Sequence, residues 1–340
     1  MQGFVSLPPY GVLIIGCGNI AGGFDMVRAP HSPPLSHAGA YTRHGGFRLL
    51  ACVDPDDGRR EGFAKHWSVG EHAANLAALD ISLGTFDVIS ICSPTSLHHE
   101  HLAQALALRP RVIFCEKPLT ADAGVAAQLV RDCRAQGVAL VVNYSRRWDP
   151  SVTELVSQLK SGRWGAVRSV VGHYNKGILN NGGHMVDLLL RLVGPLELVS
   201  TACAKFDFWE SDPTVAALLT TANGDVPVYL NPANAHDFAY FELEIVCELG
   251  VLRMQSGGMD WQFRDAVPSS QFVGYRALET ARQVEGRYLE SMARAMEDLY
   301  AYLHSGTLVR STGEEAIQVQ ELCMQIQREA LMKCAPRNEK

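Results

Sequence analysis

At 340 residues, the chain is about two ordinary domains long and too large for a single hydrophobic core. Hydrophobic residues make up 47% and charged residues 19%, which excludes a disordered chain and leaves enough apolar material for filled cores. Lys plus Arg number 30 against 36 Asp plus Glu, a formal net charge of -6, so no overall positive field draws in nucleic acid or anionic lipid. No apolar run approaches the roughly 18 residues of a membrane helix. The first ten residues, M-Q-G-F-V-S-L-P-P-Y, have no basic segment ahead of their apolar stretch, which reads as part of a buried strand; the chain is expected in the cytoplasm. Its nine cysteines are an odd number without a C-x-x-C pair, and several lie in apolar runs. They are expected to be buried thiols.

In chain order, β-branched runs at 12–16, 47–54, 86–92, 111–116 and 138–143 alternate with helical patterns, clearest at 97–108 and 122–136, the latter after Thr120 as N-cap. Strands apolar on both faces with helix-length connections predict a doubly wound parallel α/β domain. Past Trp148-Asp149-Pro150, a helix at 151–160 precedes alternating segments at 167–174, 197–206, 214–221, 241–248 and 251–254. That period of two predicts an α+β domain with a large, mostly antiparallel open sheet. Residues 256–275 read as a loop, and helices at 286–304 and 313–333 close the chain. The expected domains are 1–147, which binds a dinucleotide, and 148–340, which binds substrate.

The first strand leads into Gly16-Cys17-Gly18-Asn19-Ile20-Ala21, a G-x-G-x-x-A turn. Gly16 permits the tight turn, Gly18 lets the backbone approach a pyrophosphate, and Asn19 and Ile20 open the helix whose N–H groups bind anions. Asp54, at the end of the second strand, supplies an acid for the adenosine ribose hydroxyls. It repels a 2'-phosphate, so NAD is favoured, with NADP as the alternative if Arg59 or Arg60 swings back. The interval from Ala21 to Asp54 is about a dozen residues longer than the roughly 20 expected. The surplus, 22–36, is either a tolerated surface insertion or a loop over the strand ends near cofactor or substrate.

Two further segments are I-C-S-P-T-S-L-H (91–98) and C-E-K-P-L (115–119). With N-Y-S-R-R-W-D-P (143–150) and G-G-H-M-V-D (182–187), they give a chain that resembles the Gfo/Idh/MocA family over nearly its whole length. The resemblance implies a two-domain oxidoreductase with a Rossmann domain, a sheet that often also makes an oligomer interface, and a homodimeric or homotetrameric assembly. It assigns Ser93, Pro94, Thr95 and His98 to the ribose and adenine side of the cofactor, Glu116 to the nicotinamide ribose and Lys117 to the reacting centre. The E-K-P context also suggests a cis peptide before Pro118.

Chemistry supports Lys117 independently, because an ammonium stabilises the alkoxide that develops as a secondary alcohol loses hydride. His184 is the expected acid/base, with an unperturbed pKa near 6.5; the alternative is a helix cap. On a helix, Asn180, His184 and Asp187 share one face, and the resemblance gives Asp187 a substrate-hydroxyl role. Inositol-dehydrogenase-like members carry aspartate where this chain has Asn180, which orients an imidazole without adding charge. Tyr174, Asn175 and Lys176 either touch sugar hydroxyls or are exposed strand-end residues. Arg146 and Arg147 either bind phosphate or cofactor, or pair with carboxylates. His98, His99 and His101 lack a completing ligand set, so no metal is expected.

The expected substrate is a sugar, cyclic polyol or nucleotide-linked sugar, with no nucleic-acid or membrane partner. Two other readings fit parts of the pattern: an NAD-recycling glycoside hydrolase, and a non-catalytic dinucleotide-binding sensor.

Overall fold

A computed structural model describes residues 8–80 and 85–334; the opening stretch read as strand lies partly outside these. The chain divides into two units, Met1–Trp148 with Leu289–Ile317, and Asp149–Tyr288 with Gln318–Lys340.

The first unit is built on a parallel sheet. Its strands are β1 (Tyr10–Ile15), β2 (Phe47–Val53), β3 (Glu71–Ala73), β4 (Val88–Ile91), β5 (Val112–Cys115) and β6 (Ala139–Val142), in the order β3-β2-β1-β4-β5-β6. Every neighbouring pair is parallel. The order reverses between β1 and β4, which opens a crevice at the strand C-termini where doubly wound sheets bind ligands. Val12, Leu13, Ile14, Val88 and Ile89 are completely buried, as sheets covered on both faces require.

Helices α3 (Asp57–Trp67), α4 (Thr95–Ala107) and α5 (Ala123–Ala135) follow strands as expected. The α5 cap is Asp122, which accepts from Val125 N at 2.9 Å. Thr120, expected in that role, instead donates to the Asp122 carbonyl.

The surplus before β2 is an ordered excursion. A π-type turn at Asn19–Gly23 and the one-turn helix α1 (Phe24–Met26) precede an irregular stretch, and α2 (His37–His44) follows. Asp25 is buried and closes the stretch on itself, accepting from Ser36 N at 2.9 Å, Ser36 Oγ at 2.6 Å and Leu35 N at 3.0 Å. Only glycine suits position 39, where a Cβ would lie 2.1 Å from Asp25 Oδ2.

The segment Leu289–Ile317 departs from the expected boundary, which left everything after 147 in the second domain. Helix α8 (Ser291–Ser305) has an apolar stripe of Met292, Ala295, Met296, Leu299 and Leu303 that joins Tyr41 and Phe47 in the first unit's core. At about 1.5–3 kcal/mol for each large apolar side chain buried, that stripe holds the helix firmly. The chain then covers the open edge of β6, with Val142 N donating to Ser311 O at 2.9 Å and Ser311 Oγ to Val142 O at 2.6 Å. Covering an edge strand in this way blocks pairing with another chain.

The second unit is a mixed sheet of nine strands. They are β7 (Val167–Tyr174), β8 (Leu196–Thr201), β9 (Ala217–Thr221), β10 (Pro227–Pro232), β11 (Glu242–Cys247), β12 (Gly250–Gln255), β13 (Asp260–Pro268), β14 (Arg276–Leu278) and β15 (Arg282–Glu285). The order is β14-β13-β12-β11-β7-β10-β9-β8, with β15 on β13. Among the described residues β7 and β10 pair in parallel and the other neighbouring pairs are antiparallel.

β13 replaces the loop expected at 256–275: Trp261 and Phe263 alternate on it and stack at 6.2 Å. Helices α6 (Pro150–Lys160) and α7 (Gly182–Val193) belong to this unit, and α9 (Gly313–Cys334) spans the division between the two. α7 buries Met185, Val186, Leu188, Leu189 and Leu192. Seven cysteines are buried, but Cys203 and Cys334 are exposed, contrary to the expectation for all nine.

Candidate active site

In the first unit, a cleft of about 620 Å³ lies at the strand ends, lined by Gly16, Gly18, Asp54, Ser93, Pro94, Leu97 and His101 among others. That is within the usual range for small-molecule sites. Gly16 has φ +88, and a Cβ there would lie 2.8 Å from Ser93 N, so both backbone and space demand glycine. A Cβ on Gly18 would meet nothing within 4 Å, so this backbone stands open to a ligand. Asp54 is fixed by Cys17 N at 2.8 Å and Asp56 N at 2.9 Å, which ties the strand-end acid to the glycine turn. Arg59 leans toward it at 3.5 Å while remaining exposed, whereas Arg60 is committed to Asp54 O and Asp57. Open glycine backbone beside a fixed carboxylate suits the pyrophosphate and ribose of a dinucleotide.

Of the residues assigned to the ribose and adenine side, Ser93 and Pro94 line the cleft. Thr95 is the first residue of α4, with Pro94 as N-cap, and Asn19 and Ile20 begin the turn after Gly18. His98 has a different job from the one expected. It is buried, with Nε2 2.9 Å from Ser93 O and Nδ1 2.9 Å from Pro118 O, so both ring nitrogens face backbone carbonyls of the two loops, and on a singly protonated ring one of the two carbonyls receives the proton. His101, not anticipated there, lines the cleft and reaches Ser93 Oγ at 2.8 Å. Burial lowers its pKa.

Glu116 and Lys117 follow β5, and the Lys117–Pro118 peptide is cis. Glu116 is held by two residues that sequence reasoning missed in this role, His37 (Nε2 to Oε1, 2.9 Å) and Asn143 (Nδ2 to Oε1, 2.6 Å). Burial alone would raise the Glu116 pKa. The hydrogen bonds from His37 and Asn143, with the neighbouring charge of Lys117, outweigh it and hold the carboxyl below the usual range. Arg146 is buried in the short helix Ser145–Trp148. Arg147 takes the carboxylate alternative, pairing with Glu315 at 2.5 Å.

In the second unit, a π-type turn, Gly177–Asn181, runs directly into α7, so Asn180 and His184 stand one turn apart. His184 is half-buried, inside the helix after its N-cap Asn181, and so is not the cap. Asp187 is buried one turn further on. Asp212 steadies this turn by accepting from Leu179 N and Asn180 N, both at 2.9 Å.

Lys176 is half-buried at φ +62, with its ammonium 5.2 Å from the centre of the Phe208 ring. Tyr174, expected either to touch substrate or to lie exposed at a strand end, is instead a core residue. It is completely buried, donating to Val215 O at 2.7 Å and accepting from Val215 N at 2.9 Å. Asn175 is likewise buried, donating to Phe238 O.

Residues 10–144 match the family described as "Oxidoreductase family, NAD-binding Rossmann fold". The inositol 2-dehydrogenase 2 of Saccharopolyspora erythraea is 26% identical over 337 residues, covering 92% of this chain and 91% of the relative. The inositol 2-dehydrogenase of Streptomyces avermitilis is 30% identical over 267 residues, 72% of each chain. The chain belongs to the Gfo/Idh/MocA family. Like other members of that family, it is an NAD-binding oxidoreductase of the dehydrogenase and reductase kind. Its fold is similar to that of a 3-ketoreductase from Actinomadura kijaniata crystallised with NADP and TDP-benzene, at TM-score 0.76 and 20% identity over 94% of this chain and 98% of that one. No helix among the described residues is long and apolar enough to cross a membrane.

Proposed function

We propose that this oxidoreductase interconverts a secondary hydroxyl and a ketone on a sugar, cyclic polyol or nucleotide-linked sugar. The observation that carries the reading is the Glu116-Lys117 pair at the end of β5, in the same parallel sheet whose β1 and β4 ends frame the nucleotide cleft. In this reading Asp54 holds the adenosine ribose, the backbone after Gly18 the pyrophosphate, and Glu116 the nicotinamide ribose. NAD, when bound, takes or returns the hydride. Lys117 donates to the substrate oxygen and stabilises its developing negative charge. His184 takes the hydroxyl proton during oxidation and returns it during reduction. Asn180, one turn earlier, accepts from or donates to the ring without adding charge.

The test is to purify the protein, identify any retained nucleotide by mass spectrometry and screen polyols, sugars and nucleotide sugars for NADH absorbance. With the substrate found, Lys117→Ala should lower kcat by about a hundredfold or more while NAD+ still binds. His184→Ala should lower it by a similar factor. Full turnover by Lys117→Ala would refute the assignment. The uncharged Asn180 favours one second reading, glycoside cleavage through transient oxidation with the cofactor recycled; sugar released without net NADH would select it.

A further inference from the structure

His37 is the first residue of α2, just after the Ser36 that Asp25 holds. Its ring is completely buried, with its centre 4.6 Å from that of Phe114, and both nitrogens are engaged. Nε2 meets Glu116 Oε1 at 2.9 Å. Nδ1 lies 3.2 Å from Ser90 Oγ, which is 2.8 Å from the Tyr41 hydroxyl. A carboxylate only accepts, so the Nε2 proton points at Glu116. On a singly protonated ring Nδ1 then accepts from Ser90, and Ser90 accepts from Tyr41. Tyr41 is completely buried, and burial pushes its pKa up, so the chain ends on a phenol with no outlet to water. Such a chain orients its far end and moves no proton away.

Asn143 also donates to Oε1, and no residue among those described hydrogen-bonds Glu116 Oε2. We infer that His37 is a positioning residue for the cofactor: with Asn143 it anchors Glu116 by one oxygen and leaves the other for the ribose hydroxyls beside the nicotinamide. The inference rests on the reading of Glu116 given above. It also gives the 22–36 excursion a purpose, since Asp25 closes that loop immediately before His37.

ADP lacks the second ribose and ADP-ribose carries it, so the pair isolates the contact when binding is measured by isothermal titration calorimetry. The wild type should bind ADP-ribose more tightly than ADP. His37→Asn, too short to reach Glu116, should weaken ADP-ribose and NAD+ by about tenfold, the value of one hydrogen bond to a charged group, and leave ADP unchanged. His37→Gln, whose amide supplies a donor on a longer arm, should recover most of the loss. His37→Asn combined with Glu116→Gln should bind no worse than Glu116→Gln alone.

Equal losses on ADP and ADP-ribose, no loss at all, or fully additive losses in the double variant would overturn the inference. So would a wild type that binds ADP-ribose no better than ADP. If His37→Asn does not fold, Ser90→Ala replaces it. A loss of about two- to threefold confined to ADP-ribose is then expected, and an equal loss on ADP overturns the inference. None of these measurements involves turnover, so a failed substrate screen would count against the proposed reaction and leave this result standing.

Discussion

Two irregular segments, one in each unit, are fastened by a buried aspartate, and they serve different ends. In the parallel-sheet unit, Asp25 accepts two backbone N–H groups and the Ser36 hydroxyl, and the helix it starts sends His37 into the core toward Glu116. In the mixed-sheet unit, Asp212 accepts Leu179 N and Asn180 N and so braces the turn in front of His184. The first aspartate stands behind a buried polar chain, so if that chain positions Glu116 both stability and cofactor affinity should respond to its loss. The second supports a half-buried helical turn, so under the proposed role of His184 its effect should fall on turnover.

Asp25→Ala should show the larger effect. It strands three donors, the two on Ser36 buried and Leu35 N part-buried, and the unit should lose about 3 kcal/mol, read as a fall in the urea midpoint, with ADP-ribose affinity falling alongside. An unchanged midpoint would mean that the loop holds itself. Asp212→Ala should cost about tenfold in kcat, because a small misplacement of His184 is enough, while ADP affinity stays at the wild-type value. A comparable loss of ADP affinity would break the contrast between the two aspartates.

What the sequence made legible follows the same line. Gly16, Gly18 and Asp54 answer backbone and strand-end demands that leave a local signature, and the structure has them around one cleft. His37 meets Glu116 across 79 positions, and the excursion between the glycine turn and α2 hides the spacing that would have tied His37 to the cofactor end. Ser36 before H-A-G-A-Y was the available signal, a helix N-cap.

Tyr174 was misjudged because a strand end reads as exposed, while the residues that bury it, including Val215, come from elsewhere in the chain. The helix of Leu289–Ile317 was legible from its period, but an apolar stripe does not name the core it fills. β13 was obscured by Gly257-Gly258 before it and the turn residues after it, which pushed an alternating strand into the appearance of a loop.

The smallest predicted effect tests the return segment that sets the first unit apart. Arg147 pairs with Glu315 at 2.5 Å, with the glutamate side chain 43% exposed. Burial would raise the Glu315 pKa, but the hydrogen bond and charge of Arg147, with bonds from Thr312, bring it below the usual value of 4.5. A carboxyl whose pKa is depressed by folding stabilises the protein fully above its unfolded pKa, and the contribution disappears as pH falls through the folded one. Solvent screening limits the pair to about 0.5 kcal/mol, or roughly 1–2 °C in Tm for a protein of this size. Glu315→Gln should therefore melt lower than wild type by that margin at neutral pH, and the two curves should converge as pH drops below about 4.5. Arg147 keeps its bond to Arg310 O at 3.1 Å in either protein, so the residual difference at acid pH should be near zero. A gap that widens toward acid would mean that Glu315 is not held by Arg147 in solution.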